Sequence, residues 1–154
     1  MTRSIRTLFL PLAAVALAVG ACDDPTEVES HPEADGIAIM AGEAELYRYM
    51  LDDGSPPPFT LAAGTYDVAF VLLDANGDPL PHEEGEEGEE LSVTTGDAAI
   101  LTWTPEAEAP GDVHAFEEFH GELNALQAGS TTLEVCLLHA GHCDFEAVIP
   151  VTVT

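Results

Sequence analysis

Thr65-Tyr66-Asp67-Val68-Ala69-Phe70-Val71-Leu72-Leu73, closed by Asp74-Ala75-Asn76-Gly77-Asp78, is the stretch that decides the fold. Tyr66, Val68, Phe70 and Leu72 recur at every second position, the period at which side chains of an extended chain share a face. Asn76-Gly77 ends the run, because both residues tolerate the positive φ that a tight turn needs. The pattern repeats toward the C-terminus. Ala99, Leu101 and Trp103 align in a strand over 98–104. Residues 113–119 and 122–127 read as two more strands, joined by a turn at His120-Gly121. Ala128-Gly129-Ser130 turns the chain again, and Leu133, Val135 and Leu137 then form one face. After a turn at His139-Ala140-Gly141-His142, Phe145, Ala147, Ile149, Val151 and Val153 line the last strand. Short strands with turn signals at roughly eight- to twelve-residue spacing predict an all-β sandwich or barrel.

Toward the N-terminus the signal weakens. Residues 37–51 read either as a hairpin turning near Ala41-Gly42-Glu43 or as a short helix over 44–51, with Leu46, Tyr49 and Met50 on one side. The β character of the rest favours the hairpin. Residues 79–90 hold six glutamates and read as a flexible acidic loop. Residues 23–35 are polar, acidic and proline-containing and read as a tether. The expected domain is therefore 36–154, behind a tether at 22–35.

Residues 1–21 have the layout of an export signal: Arg3 and Arg6, an apolar run from Leu8 to Val19, then small residues. The run is shorter than the roughly 20 apolar residues of a spanning helix. Val19-Gly20-Ala21-Cys22 resembles the lipobox of bacterial lipoproteins. That resemblance implies cleavage before Cys22 and acylation of its thiol and new amine, which would anchor the chain to a membrane of the cell envelope. More than one acyl chain makes such an anchor stable. In enteric bacteria an Asp after the lipidated cysteine resembles an inner-membrane retention signal, a rule that varies between species, so Asp23 does not choose the membrane.

The chain carries 29 acidic residues against three Lys or Arg, a formal net charge of −26. Loss of Arg3 and Arg6 would leave Arg48 as the one remaining Lys or Arg, against the same 29 acids, and a net charge of about −28. Such a surface repels phosphate backbones, which excludes nucleic acid as a partner. It also repels anionic lipid head groups, so an acyl anchor would hold without basic help. An envelope protein or another cationic partner suits it better.

From residue 60 onward the order of signals resembles bacterial immunoglobulin-like (Big-type) domains. The carriers are Leu61-Ala62-Ala63-Gly64-Thr65, residues 71–79 with their Asp-x-Asn-Gly end, Leu101-Thr102-Trp103-Thr104-Pro105, residues 121–133 with Ala128-Gly129-Ser130-Thr131, and Ile149-Pro150-Val151-Thr152-Val153. The resemblance implies an immunoglobulin-like antiparallel β-sandwich of about seven strands, used for adhesion, ligand presentation or spacing. It brings no catalytic residues. The acidic loop and a Cys/His-bearing hairpin near the C-terminus depart from the family pattern.

Motifs that carry chemistry are few. The sequence holds no Gly-x-Ser-x-Gly elbow, phosphate loop or dinucleotide fingerprint, and the expectation is a non-enzymatic protein without a certain cofactor. With Cys22 assigned to lipid, Cys136 and Cys143 are expected to form a disulfide in an oxidising compartment. Strand parity puts Cys136 outward and Cys143 inward, so a bond requires a bulge or an irregular loop. Trp103 reads as a core anchor on its strand. The alternative function is metal binding. If strands 113–119, 122–127, 131–138 and 144–153 form a meander, His120 meets His139 and His142 at one end, with His82 as a fourth ligand for Zn²⁺ or Cu²⁺. Asp74, Asn76 and Asp78 resemble part of a calcium loop but lack its closing Glu, and the turn explains them more simply.

Overall fold

A computed structural model describes residues 33–81, 89–106, 118–139 and 141–154. Nine strands occur among them: β1 Gly36–Ala41, β2 Ala44–Met50, β3 Phe59–Leu61, β4 Gly64–Leu73, β5 Glu89–Thr95, β6 Leu101–Pro105, β7 Glu118–Ala125, β8 Gly129–His139 and β9 His142–Val153. They form a five-stranded sheet, β2-β1-β4-β7-β6, and a four-stranded sheet, β3-β9-β8-β5. Within the first, β1-β4-β7-β6 matches the A-B-E-D order of immunoglobulin constant-type domains, and β5-β8-β9 matches C-F-G. The protein is an immunoglobulin-like β-sandwich. Seven strands carry that order. β2 is an extra edge strand inserted after β1, and β3 pairs in parallel with β9.

The core lies between the sheets, and alternation builds it. Val68, Phe70 and Leu72 of β4 are buried there with Leu133, Val135 and Leu137 of β8 and Phe145, Ala147, Ile149, Val151 and Val153 of β9. Trp103 is partly buried against the same cluster and meets Phe70 edge-on, with ring centroids 4.9 Å apart at 90°. On the inserted strand, Tyr47 and Tyr49 face inward, and Tyr47 packs on Phe59 of β3 with centroids 5.1 Å apart. Their hydroxyls donate to Pro57 O at 3.1 Å and Gly54 O at 2.7 Å. The two tyrosines thus hold the connection that carries the chain from one sheet to the other. Burial pushes the Tyr47 phenol up to about 12, and Tyr49 beside it adds to the shift.

The 37–51 segment is the favoured hairpin, with Gly42 at φ 56 in its turn. Other expectations are corrected. His120-Gly121 is no turn. Both lie inside β7, which runs unbroken from Glu118 to Ala125 and pairs with β4 and β6. A glycine inside a strand often marks a close approach rather than a bend, and that is the case here: a Cβ on Gly121 would overlap the Trp103 ring and the Thr104 carbonyl oxygen. The strand predicted over 98–104 begins only at Leu101, after a turn. Leu80, placed in the acidic loop, is buried in the core. β5 was not expected, although Leu91 and Val93 alternate and pack against the core.

Candidate functional site

β4 is buried on both sides from Val68 to Leu73, and the unexpected half is the one facing away from the core. Ala69, Val71 and Leu73 form a second buried cluster with Ala38 of β1, and Met40 and Met50 pack against it. Strand register explains the grouping, since opposed residues share a face. One cross-strand row runs Arg48, Ala38, Val71, Glu118, and the next runs Glu45, Met40, Ala69, His120. A register shift at Ile39/Met40 sets Glu45, rather than Leu46, opposite Met40. The third row holds Asp67, Glu122 and Thr104. The outer face of the five-stranded sheet therefore has an apolar middle and charged flanks. It floors a groove of about 700 Å³, with Glu45, Asp67, Glu106, Glu118 and Glu122 among its lining.

One end of this strip is roofed. The Arg48 Nη1 atom donates to Gly77 O at 2.7 Å, so the side chain reaches from edge strand β2 across β1 to the loop after β4. Its Nε and Nη2 atoms bind the Glu45 carboxylate at 2.9 and 2.8 Å. A long side chain that lays its stem on apolar surface while keeping its charge wet is common arginine behaviour. A Cβ on Gly77 would lie 3.1 Å from Arg48 Nη1 and 4.0 Å from Met50 Sδ, and Gly77 has φ 80, so glycine meets both the turn and the close approach. Pro79 bridges to Leu73 at the same end. Val71 and Ala69 keep 8% and 9% exposure, against 1% for Leu73 and 2% for Ala38, so the little of the floor that is open lies away from the roof.

The turn that anchors Arg48 satisfies its own carboxylate. Asp74 Oδ1 accepts the backbone N–H groups of Asn76 at 2.8 Å and Asp78 at 2.9 Å, and Oδ2 accepts Asn76 Nδ2 at 3.1 Å. These bonds, that from Asp78 first, hold the Asp74 carboxyl below its ordinary range. An Asx-type turn accounts for Asp74, Asn76 and Asp78 without calcium.

Of the residues proposed for metal, His82 lies outside the described residues, as do Cys22, His31 and His114. Residues 113–117 of the expected meander also lie outside the described residues, and among the described ones no meander unites the others: β7 belongs to one sheet, β8 and β9 to the other. His120 stands on the outer face of the five-stranded sheet, with Nε2 at 3.2 Å from Glu118 Oε2. His139 and His142 face each other at the tip of the β8–β9 hairpin in the other sheet, where His139 Nδ1 lies 3.3 Å from Asp144 Oδ2. Among the described residues no group of three or more His, Cys, Asp or Glu side chains is arranged to hold a metal ion. Cys136 and Cys143 are joined by a disulfide, with Cα atoms 5.7 Å apart. The register shift at Leu137/Leu138 supplies the irregularity that parity demanded, and it leaves Cys143 exposed rather than inward.

No family model matches the chain, and no curated protein does. Domains 4 and 5 of the S-layer protein SbsC are similar at 17% identity and TM-score 0.39, over 66% of this chain and 49% of that one. The C-terminal domain of ZirS is similar at 9% identity and TM-score 0.40, over 99% and 87%. The Yersinia pseudotuberculosis adhesin InvE is similar at 18% identity and TM-score 0.35, over 61% and 23%. The chain spans about half or less of the SbsC domain structures.

Proposed function

We propose that this is a non-enzymatic, lipid-anchored module of the cell envelope that binds a partner through the outer face of its five-stranded sheet. The Val19-Gly20-Ala21-Cys22 sequence supports the anchor. The observation that carries the binding role is the second apolar cluster, Ala38, Ala69, Val71 and Leu73, outside the sandwich core and under a groove. A plain spacer needs no apolar cluster on the outer side of a sheet, and the groove of about 700 Å³ above it has the concave, partly apolar lining of a binding site.

Two experiments test the two halves separately. Cells fed an alkyne fatty acid should label the wild-type chain and leave Cys22→Ser unlabelled and released from membranes. Equal labelling would overturn the anchor. A photo-crosslinking residue at Thr104, on the groove wall, should capture an envelope protein that the same residue at Ser92, on the outer side of the four-stranded sheet, does not. Equal yields at both positions, or none at either, would leave a spacer.

A further inference from the structure

Resting on that binding reading, we infer that the groove takes a basic, amphipathic polypeptide segment, whose apolar side chains sit on the Met40/Ala69/Val71 floor while its lysines or arginines meet the carboxylates at the flanks. The floor alone would accept any greasy group. The flanks are selective: Glu45, Asp67, Glu106, Glu118 and Glu122 line the groove, and Arg48, the one Lys or Arg among the lining residues, already has its guanidinium on Glu45 and Gly77 O. A neutral partner would dehydrate those carboxylates without replacing their water, which is costly. An anionic bilayer meets like charge. A second copy of this chain brings a formal charge of −26 to the same surface. A segment that alternates cationic and apolar side chains satisfies both parts at once, since in an extended peptide alternate residues project to opposite sides. The groove, at about 700 Å³, is in the size range that holds a few side chains.

The sequence supplies a reporter. Its three methionines are Met1, Met40 and Met50; Met40 lines the groove and Met50 packs at the roofed end. The full lipidated chain, methyl-labelled at methionine and held in zwitterionic nanodiscs, would be titrated with a synthetic peptide of about eight residues alternating lysine and valine. Lysine–serine and glutamate–valine peptides serve as comparisons, and empty discs as the blank. The lysine–valine peptide should bind saturably and move the Met40 methyl signal, identified by Met40→Leu, more than that of Met50. The lysine–serine peptide should bind at least about tenfold more weakly. Ala69→Phe, which fills the groove without altering charge, should weaken lysine–valine binding by about tenfold or more while the circular dichroism stays that of the wild type. Asp67→Asn with Glu122→Gln should weaken it several-fold, as should salt at about 0.5 M. Equal binding of lysine–serine and lysine–valine peptides would reduce the effect to polyanion attraction and overturn the assignment. So would a Met40 signal unmoved at saturation, or one that shifts with protein concentration alone, which would mark a second copy as the occupant. None of these failures touches the fatty-acid labelling result, so the anchor and the groove fall separately.

Discussion

The outer faces of the two sheets are built on different rules. On the four-stranded sheet, the positions between core residues are Ser92 on β5, Glu134 and Cys136 on β8, and Glu146, Val148, Pro150 and Thr152 on β9, and Val148 stands 43% exposed. That sheet is apolar on one side and wet on the other, as a two-layer sandwich requires. The five-stranded sheet carries Ala38, Ala69, Val71 and Leu73 on the corresponding side, all buried, with carboxylates at their flanks. Folding the sandwich needs one apolar face per sheet. The second is surplus to the fold, and a groove floored by surplus apolar side chains and edged by carboxylates is where binding should be sought.

Substitutions can break or sharpen this contrast. The largest loss should come from the shared core. Phe70 is fully buried and carries the edge-on contact with Trp103, so Phe70→Ala should cost about 3–5 kcal/mol in urea unfolding. Its neighbour Val71, on the groove side of the same strand, should lose about 1–2 kcal/mol as Val71→Ala, the burial of two methyl groups without an enclosed cavity; a loss equal to that of Phe70→Ala would erase the distinction between the two faces. The disulfide at the hairpin tip joins residues seven apart, and reduction, or Cys136→Ser with Cys143→Ser, should lower stability by about 2–3 kcal/mol from the small loop it closes. Gly121→Ala puts a methyl into the Trp103 ring, and overpacking of that kind costs about 1–3 kcal/mol. Trp103 is the one tryptophan, so its emission should shift in the folded state; unchanged emission would mean the ring does not lie on Gly121. The smallest effect is on pH dependence. The Tyr47 phenol, raised to about 12, ionises near 10 when unfolded. The stability it contributes is therefore complete below about pH 10 and is lost as the pH climbs toward 12. Tyr47→Phe should flatten that part of the profile; an unaltered alkaline slope would place the phenol in water.

The contrast was half legible in the sequence. Alternation at Phe145, Ala147, Ile149, Val151 and Val153, and at Leu133, Val135 and Leu137, identified the core faces of β9 and β8 residue by residue, while the short β3 and the strand β5 behind the acidic loop were missed. In β4 the same period picked out Val68, Phe70 and Leu72, but Ala69, Val71 and Leu73 between them were equally apolar. Period two says nothing about a strand buried on both sides. The groove was missed for a second reason. Glu45, His120 and Arg48 become its walls only through register, and register depends on the shift at Ile39/Met40 and on β7 running straight through His120-Gly121. Reading that glycine as a turn created a false meander and, with it, a false meeting of His120 with His139 and His142. The disulfide was legible because two cysteines near one turn have few other partners. Its bulge was anticipated from parity, though not the side toward which Cys143 would point.

The central claim, that one sheet has two apolar faces and the other has one, is tested most directly by the same substitution at matched outer positions. Val71→Asp and Val148→Asp would be compared in urea unfolding at about 1 M salt, where long-range charge repulsion is screened. The account predicts that Val148→Asp, opposite Glu134, loses about 1 kcal/mol or less, while Val71→Asp loses about 2 kcal/mol or more from a charge placed on a buried apolar floor. Equal, small losses at both positions would contradict it.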